Sequence, residues 1–353
     1  MKTIIAVPDF TRKAHLKKVL PFVLDKLKGQ DIEIIIATGL HRPPTKNEIK
    51  TNLGNIVNRV KISVHDHKSV AYFGKTKKGI PVYLNKKLKT ADSIITVGVV
   101  EPHLYAGYSG GTKVVSIGLA GEKTINATHH PRFLDDPGTK ICSIKNNPFR
   151  DFIEESSSPL PIRYSLNIAN NKTFWGRPAI SFKKAVKYSQ KISEKKINKA
   201  FDVIICNIPK EKGVNIYQAS RAFNYVANTK RSVLKKDSLI LVRAGLEEGF
   251  GKGLGEKRFM NKMLKMKSPG KLIGEIKKGG CLAGEHRAYM VAKAMKKAKL
   301  GFVSERAYLY KNKGLPFLFF KELKEARAFI KNHFKKQPNI LYLKNAFTSI
   351  LTS

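Results

Sequence analysis

The sequence predicts an α/β protein of two domains, each built on a mostly parallel sheet, with an active-site cleft between them. Three features carry that expectation. Short β-branched runs alternate with amphipathic stretches along the 353 residues. A polar, lysine-rich stretch over 193–199 interrupts the alternation and reads as a linker. Groups of His, Asp, Arg and Gly follow directly on strands, where ligands sit in open α/β sheets and in clefts between domains. The domains read as 1–195 and 200–343, with a tail over 344–353 that packs back on the first.

Residues 3–7 form the first strand, and a basic amphipathic helix follows over 13–27. Residues 32–37 are a continuous β-branched run, the pattern of a parallel strand buried on both faces. A helix begins near 45, and strands follow near 60–64, 81–84 and 93–99. After the linker comes a strand at 201–206, then a helix at 215–225 and a strand at 238–243. Helices over 257–266 and 286–297, a short strand near 300–303, a helix over 321–334 and a last strand at 339–343 complete the chain. Neither an internal repeat nor a low-complexity tract is visible.

Composition narrows the class. No apolar run reaches the roughly 18–20 residues of a membrane span. The first residues read as a strand rather than a signal peptide. Cys142, Cys206 and Cys281 are far apart and odd in number. They are expected to be reduced, buried and inert, which points to a cytoplasmic protein. The net charge of +41 raises the question of a polyanion partner. The excess is mostly lysine, however, spread over many helices with little aromatic interleaving, so nucleic-acid binding is expected to be weak and non-specific.

The stretch His103-Leu-Tyr-Ala-Gly-Tyr-Ser-Gly-Gly-Thr-Lys113, followed by His129, concentrates chemistry. Histidine exchanges protons near neutral pH. Gly107, Gly110 and Gly111 let the backbone approach a ligand and turn N–H groups toward an anion. Lys113 can pair with a phosphate or, if desolvated, attack an electrophile. The plainer alternative is a tight glycine turn with a surface lysine. Asp9-Phe-Thr-Arg12 and Ala37-Thr-Gly-Leu-His41-Arg42 also follow strands, so these three segments should meet at one sheet edge. There Arg12 is a candidate carboxylate clamp. Asp9 orients Arg12 or a histidine, or else marks a helix entry that Thr11 caps.

The central segment resembles the motif of the nickel-pincer-dependent lactate racemase family, His-x-x-Ala-Gly-x-Ser-Gly-Gly-x-Lys followed by Thr-Ile-x-x-x-His, here Thr124-Ile-Asn-Ala-Thr-His129. The Asp9–Arg12 and Ala37–Arg42 blocks, Asn147-Pro148 and Asn215-Ile-Tyr-Gln-Ala219 are similar to further blocks of that family in the same order, and Gly245-Leu-Glu-Glu-Gly-Phe-Gly251 more loosely so. The resemblance implies a racemase or epimerase of a 2-hydroxy acid, with His41 and His103 as one acid/base per enantiomer. It implies a nickel-pincer nucleotide (nickel pyridinium-3,5-bisthiocarboxylic acid mononucleotide) attached covalently at Lys113, with His129 as the nickel ligand. Ser109, Gly110 and Gly111 would cradle its phosphate, and Thr11 is a further candidate contact. Proteins that make and insert the cofactor would be partners.

Lys13 stands where the family often has proline, and Thr112 where many members have arginine. Members usually carry a longer segment before the Asp-x-Thr-Arg block. Where the family shows an Asp-Gln-Trp-Gln-like stretch, this chain has Gly284-Glu-His-Arg-Ala-Tyr289. His286 and Arg287 are therefore candidate substrate contacts, Arg287 as a second anion contact, for a substrate other than lactate. Tyr217 and Gln218 either line the cleft or brace their helix. The alternatives to a 2-hydroxy acid racemase are an epimerase of a sugar acid or phosphorylated substrate, and a basic nucleic-acid-associated protein retaining the fold.

Overall fold

The computed structural model describes residues 1–229 and 233–352, and the chain divides into two compact units, Met1–Ile192 and Ser193–Ser353. In the first unit the elements are β1 (Lys2–Pro8), α1 (Leu16–Asp25), β2 (Asp31–Ala37), α2 (Lys46–Leu53), β3 (Lys61–Val64), β4 (Val70–Lys75), β5 (Pro81–Asn85) and β6 (Ser93–Val99). Then come β7 (Pro102–His103), β8 (Gly107–Tyr108), α3 (Lys113–Ser116), α4 (Glu122–Thr128), α5 (Pro131–Leu134), α6 (Pro148–Ser157), β9 (Ile162–Ala169), β10 (Lys172–Gly176) and α7 (Pro178–Ser193).

The main sheet runs β10-β9-β6-β1-β2-β3 and is parallel except for β10. Ile4 and Ile5 of β1, Ile34 and Ile35 of β2, and Ile94 and Ile95 of β6 are all inaccessible to solvent. Burial on both faces is why these strands read as unbroken apolar runs rather than alternating ones. Helix α1 covers one face, packing Leu20, Val23 and Leu24 against Ile5, Val7, Ile34 and Ile36. Ala37 pairs with Pro8, and Thr96 with Ala6, so β1, β2 and β6 end close to one level. The segments after these strands are therefore delivered to one edge.

The sequence missed part of this sheet. The strand expected at 81–84 is β5, but it pairs antiparallel with β4 in a separate hairpin. The sheet is completed instead by β9 and β10. The buried side chains of β9 include Ser165 and Asn167, which disguise it as a polar segment. Helix α1 starts at Leu16, so neither Asp9 nor Thr11 caps it.

The second unit holds β11 (Glu194–Lys196), β12 (Phe201–Asn207), α8 (Ile216–Ala219), α9 (Arg221–Ala227), β13 (Leu234–Arg243), α10 (Leu254–Leu264), α11 (Pro269–Gly279), α12 (Glu285–Met295), β14 (Ala298–Val303), β15 (Leu318–Phe320), α13 (Leu323–His333), β16 (Ile340–Leu343) and β17 (Ile350–Thr352). Its five-stranded sheet, β15-β14-β13-β12-β16, is parallel throughout. Val203, Ile205, Leu239 and Leu241 form its core with Ala326 and Ile330 of α13. Three expectations need correction here. The expected linker contains β11. The tail, expected to pack back on the first domain, ends in β17, which pairs with β11 inside this unit. The single helix expected at 215–225 is two, α8 and α9, meeting at Ser220, whose hydroxyl donates to the Tyr217 carbonyl at 2.8 Å.

No helix among the described residues is long and apolar enough to cross a membrane. None of the three cysteines is in a disulfide. Only Cys206 is fully buried, and burial pushes its thiol up to about 12. Cys142 and Cys281 are half-buried, because both lie in loops rather than in the core strand that holds Cys206.

His65 follows β3 and is buried. Its Nε2 meets the Ala120 carbonyl at 3.1 Å and its Nδ1 the Asn85 amide at 3.0 Å. Burial pushes its pKa down from 6.5 to about 4, against the opposing hydrogen bond to Ala120. The unfolded chain thus binds a proton that the folded chain refuses in this interval. The contribution to stability is complete above 6.5 and is lost as the pH falls toward 4. The urea midpoint should decline across that interval, and His65→Gln should show a smaller decline; equal slopes for the two proteins would contradict the assignment.

Candidate active site

Three adjacent parallel strands, β6, β1 and β2, deliver the three motif segments. Asp9 is buried just beyond β1. Its Oδ1 accepts the Thr11 hydroxyl at 2.6 Å and the Thr11 amide at 3.1 Å. Its Oδ2 meets His41 Nδ1 at 2.7 Å. Burial by itself would raise the Asp9 carboxyl, but the His41 charge, the bonds from His41 and Thr11, and the nearby Arg12 outweigh it and hold the pKa below 3.8. The carboxylate fixes the His41 tautomer: the Nδ1 proton points at Asp9, and Nε2 carries the lone pair. Of the two sequence-level roles for Asp9, orienting a histidine is therefore the one realised. Thr11 is committed to Asp9 by both its donors, which argues against its phosphate-binding role.

Arg42 keeps the His41 segment in place. It pairs bidentately with Glu48 at 2.8 and 2.7 Å and stacks on Phe10, its guanidinium carbon 4.3 Å from the ring centre. Glu48 also closes a capping box with Thr45 at the start of α2. Arg12 lies 3.7 Å from Glu101, with both side chains about one-fifth exposed. The candidate clamp therefore already faces a carboxylate, and this pair ties the Asp9 loop to the His103 loop. An incoming carboxylate would have to compete with Glu101 for Arg12.

His103 is half-buried, and its Nδ1 accepts the amides of Tyr105 at 3.3 Å and Ala106 at 3.2 Å. The neutral ring then carries its proton on Nε2, the opposite tautomer to His41. His103 packs against Tyr105 and Phe149, with ring centres 5.7 and 6.4 Å away. His129 packs against the same two rings at 5.8 and 5.3 Å. One aromatic pair thus joins two residues that the sequence separates. His129 Nδ1 meets the Ile125 carbonyl at 2.9 Å, which places the lone pair on Nε2. A backbone carbonyl behind the other ring nitrogen is the usual support of a metal-ligating histidine. The neighbouring His130 is used differently, since its side chain caps α5 by accepting the Arg132 amide.

The loop that follows is pinned from beneath. Arg150 is buried in α6 and donates to the carbonyls of Ala106, at 3.0 and 3.2 Å, and of Tyr108. Its guanidinium carbon lies 4.6 Å from the centre of the Phe182 ring. Burial pushes its pKa down to about 10, with Glu154 opposing. Asn147 caps α6 through Oδ1 and donates Nδ2 to the carbonyls of Tyr105 and Ser143 at 2.8 and 2.9 Å. Sequence reasoning missed Arg150, Glu101, Tyr105, Phe149 and Asn167. The Asn147-Pro148 cap signals the start of α6, but nothing local distinguishes a buried arginine one turn later from a solvated one.

The expected phosphate cradle is not open. The Ser109 amide donates to the Glu101 carbonyl at 2.8 Å and its hydroxyl to the Val99 carbonyl at 2.7 Å. The Gly111 amide donates to Asn167 Oδ1 at 2.7 Å. At Gly110, φ is +84°, and a Cβ would meet Val100 Cγ2 at 2.4 Å and Asn167 Oδ1 at 3.2 Å. These glycines serve close packing of the loop on the sheet. Lys113 is half-buried and opens α3.

Among the described residues no group of three or more His, Cys, Asp or Glu gathers to hold a metal ion. A metal here must bring most of its own donors. One histidine with a supported lone pair and a lysine on the adjoining loop fit a metal-carrying group attached to the protein; the phosphate of such a group would need other donors than Ser109 and Gly111. In the second unit, Tyr217 packs on Phe259 with ring centres 5.5 Å apart, and Arg287 lies over Tyr217 at 5.5 Å. The Gln218 amide is capped by Asn215 at 2.9 Å, and His286 Nδ1 accepts the Gly284 amide at 3.0 Å.

Residues 1–141 match the family model described as the lactate racemase N-terminal domain. The chain is similar to lactate racemases in sequence and in fold. It is 26% identical over 262 residues to the lactate racemase of Thermoanaerobacterium thermosaccharolyticum and 27% identical over 262 residues to that of Lactiplantibacillus plantarum. Each alignment covers 70% of this chain and 61% of the relative, so the chain spans about three-fifths of the curated relatives' length. The lactate racemase apoprotein structure from Thermoanaerobacterium thermosaccharolyticum superposes with a TM-score of 0.86 at 22% identity, covering 100% of this chain and 87% of that one. At that identity the likeness establishes the fold.

Arg150→Met should destabilise the protein by about 2–5 kcal/mol, because the Ala106 and Tyr108 carbonyls lose their buried donors. Amide exchange over 103–113 should accelerate in the variant; unchanged protection there would show that α6 does not hold the loop.

Proposed function

We propose that the chain interconverts the stereoisomers of a 2-hydroxy acid. The observation that carries this reading is the pair of histidines held in opposite tautomers on loops from one sheet edge: His41 with its proton turned to Asp9, His103 with its Nδ1 turned to backbone amides. Racemising such an acid through a planar 2-keto acid removes the hydroxyl proton and a hydride from carbon, then returns both from the other side. It needs a base on each face and a hydride acceptor.

His41 Nε2 is suited to take the hydroxyl proton of one enantiomer, with Asp9 stabilising the imidazolium that forms. His103 Nε2–H is suited to give a proton to the alkoxide on the opposite face, and the roles exchange in reverse. Arg12 is suited to hold the carboxylate, exchanging its contact with Glu101 for one with substrate. A nickel-pincer nucleotide, when bound, supplies the hydride acceptor. Lys113 would carry it covalently and His129 would ligate its nickel, as imidazole suits that metal. Tyr105 and Phe149 keep His129 dry and aligned.

In protein from a host that makes the cofactor, intact mass should reveal an adduct that Lys113→Ala abolishes. Nickel should fall further in His129→Ala than in His130→Ala; the reverse order would identify His130 as the ligand.

His41→Ala and His103→Ala should each block net racemisation, while each still releases 2-keto acid in a single turnover from one enantiomer. Arg12→Ala should weaken both enantiomers alike. Single-turnover spectroscopy with each pure enantiomer decides this: near wild-type racemisation in both histidine variants would return His41 and His103 to structural roles.

A further inference from the structure

Strand β16 forms one edge of the second unit's sheet: β12 pairs with it on one side, and no described strand lies on the other. Such an edge presents a row of backbone donors and acceptors to any extended chain that approaches. Beside it, between β16 and the second half of α13, lies an open cavity of about 490 Å³. Its floor is apolar. Ile330 belongs to the core of the sheet, Phe334 and Ile340 pack against that core, and Tyr342 is 52% exposed. Residues 334–340 lead into β16 at the amino ends of the parallel strands, opposite the carboxyl ends that lead to α8.

Every charged residue lining this cavity is a cation. Arg327 and Lys331 lie one turn apart on α13, Lys335 and Lys336 follow its end, and all four are exposed. Arg327 Nη2 donates to the Tyr342 hydroxyl at 3.5 Å, which sets the first of these cations over the strand edge. The neighbouring acids are engaged elsewhere. Glu325 accepts the Lys321 amide at 2.6 Å and the Lys311 side chain at 3.2 Å. Asp202, on β12, accepts the Lys235 side chain at 2.7 Å and the Asn339 amide at 2.8 Å. The cavity between α10 and α11 differs, because Glu275 and Glu285 line it together with its lysines. Lysine excess is general in this chain. At β16 it coincides with an apolar floor and an open strand edge.

We propose that β16 and α13 form a docking groove for an extended acidic segment of a partner protein, which adds a strand along the free edge of β16. Main-chain pairing supplies the affinity, apolar side chains settle on Ile340 and Tyr342, and carboxylates meet the cations at the two ends of the groove. The proposal draws on no residue of the first unit and stands whether or not the chain is a racemase.

The test uses the full-length chain at physiological salt and a fluorescent eight-residue peptide with valine and threonine at its centre and glutamates at both ends. Anisotropy should show binding of this peptide and none of a version ending in lysines. Amide exchange over 340–343 should slow in the complex. Arg327→Glu with Lys331→Glu should weaken binding by at least about tenfold, since two attractions become repulsions. Lys183→Glu with Lys187→Glu, the same charge change on the exposed face of α7, should leave it within about twofold. Should the α13 variant melt below the wild type, Lys335→Glu with Lys336→Glu, beyond the helix, gives the same reading. Methylating alternate backbone nitrogens of the peptide should abolish binding, because the strand-pairing donors are gone. The proposal fails if the acidic peptide does not bind, or if the α7 variant weakens it as much as the α13 variant. It fails equally if the methylated peptide binds as well as the parent. Displacement by an equimolar thymidine oligonucleotide would make the groove a general polyanion surface and overturn the proposal.

Discussion

Parallel pairing of β6, β1 and β2 is the constraint on which the first unit depends. Parallel neighbours start and end at the same levels, so Asp9, His41 and Glu101 leave the sheet side by side although up to ninety-two residues separate them in the chain. In an antiparallel arrangement every second loop would leave at the opposite end. The pairing requires strands apolar on both faces, and the isoleucine-rich runs of β1, β2 and β6 provide that. Side-chain chemistry then adds detail to a convergence the backbone has already made. Asp9 reaches across to His41, and Arg12 reaches the other way to Glu101.

The loop from His103 to Lys113 illustrates how buried polar groups give shape to a segment with little regular structure. Its carbonyls at Tyr105, Ala106 and Tyr108 are answered by Asn147 and Arg150, and its Gly111 amide by Asn167. Each partner is itself inaccessible or nearly so, so water cannot substitute for it. The Ser109 and Gly111 donors of the glycine turn likewise face protein oxygens, the Glu101 and Val99 carbonyls and Asn167 Oδ1.

With 26 acids facing 67 lysines and arginines, carboxylates are scarce and their positions are informative. Several sit at helix starts, where Glu48 closes a capping box with Thr45 and Glu256 accepts the Gly253 amide. Asp9 and Glu101 face the His41 and Arg12 side chains at the candidate site. Buried arginines use other partners: Arg150 carbonyls and the Phe182 ring, Arg287 the ring of Tyr217. Among the described residues the lysines are exposed or half-buried, except Lys212, which is buried over the Phe347 ring.

Much of the fold was legible because its central strands and amphipathic helices declare themselves by periodicity, and the convergence of the Asp9, His41 and His103 segments followed from strand order alone. Strand β9 was hidden because its buried positions include Ser165 and Asn167, and β11 and β17 because three-residue strands have no period to read. The sequence by itself determined which residues are equipped for proton transfer and metal ligation, since side-chain chemistry is local. Only the tertiary structure decided what each one does with its equipment: Thr11 and Ser109 are bound to their own chain, His41 and His103 are set in opposite tautomers, and Arg287 is buried with its Nε and Nη1 unanswered among the described residues. Those outcomes depend on hydrogen bonds and burial contributed by residues distant in sequence, and no local pattern encodes them.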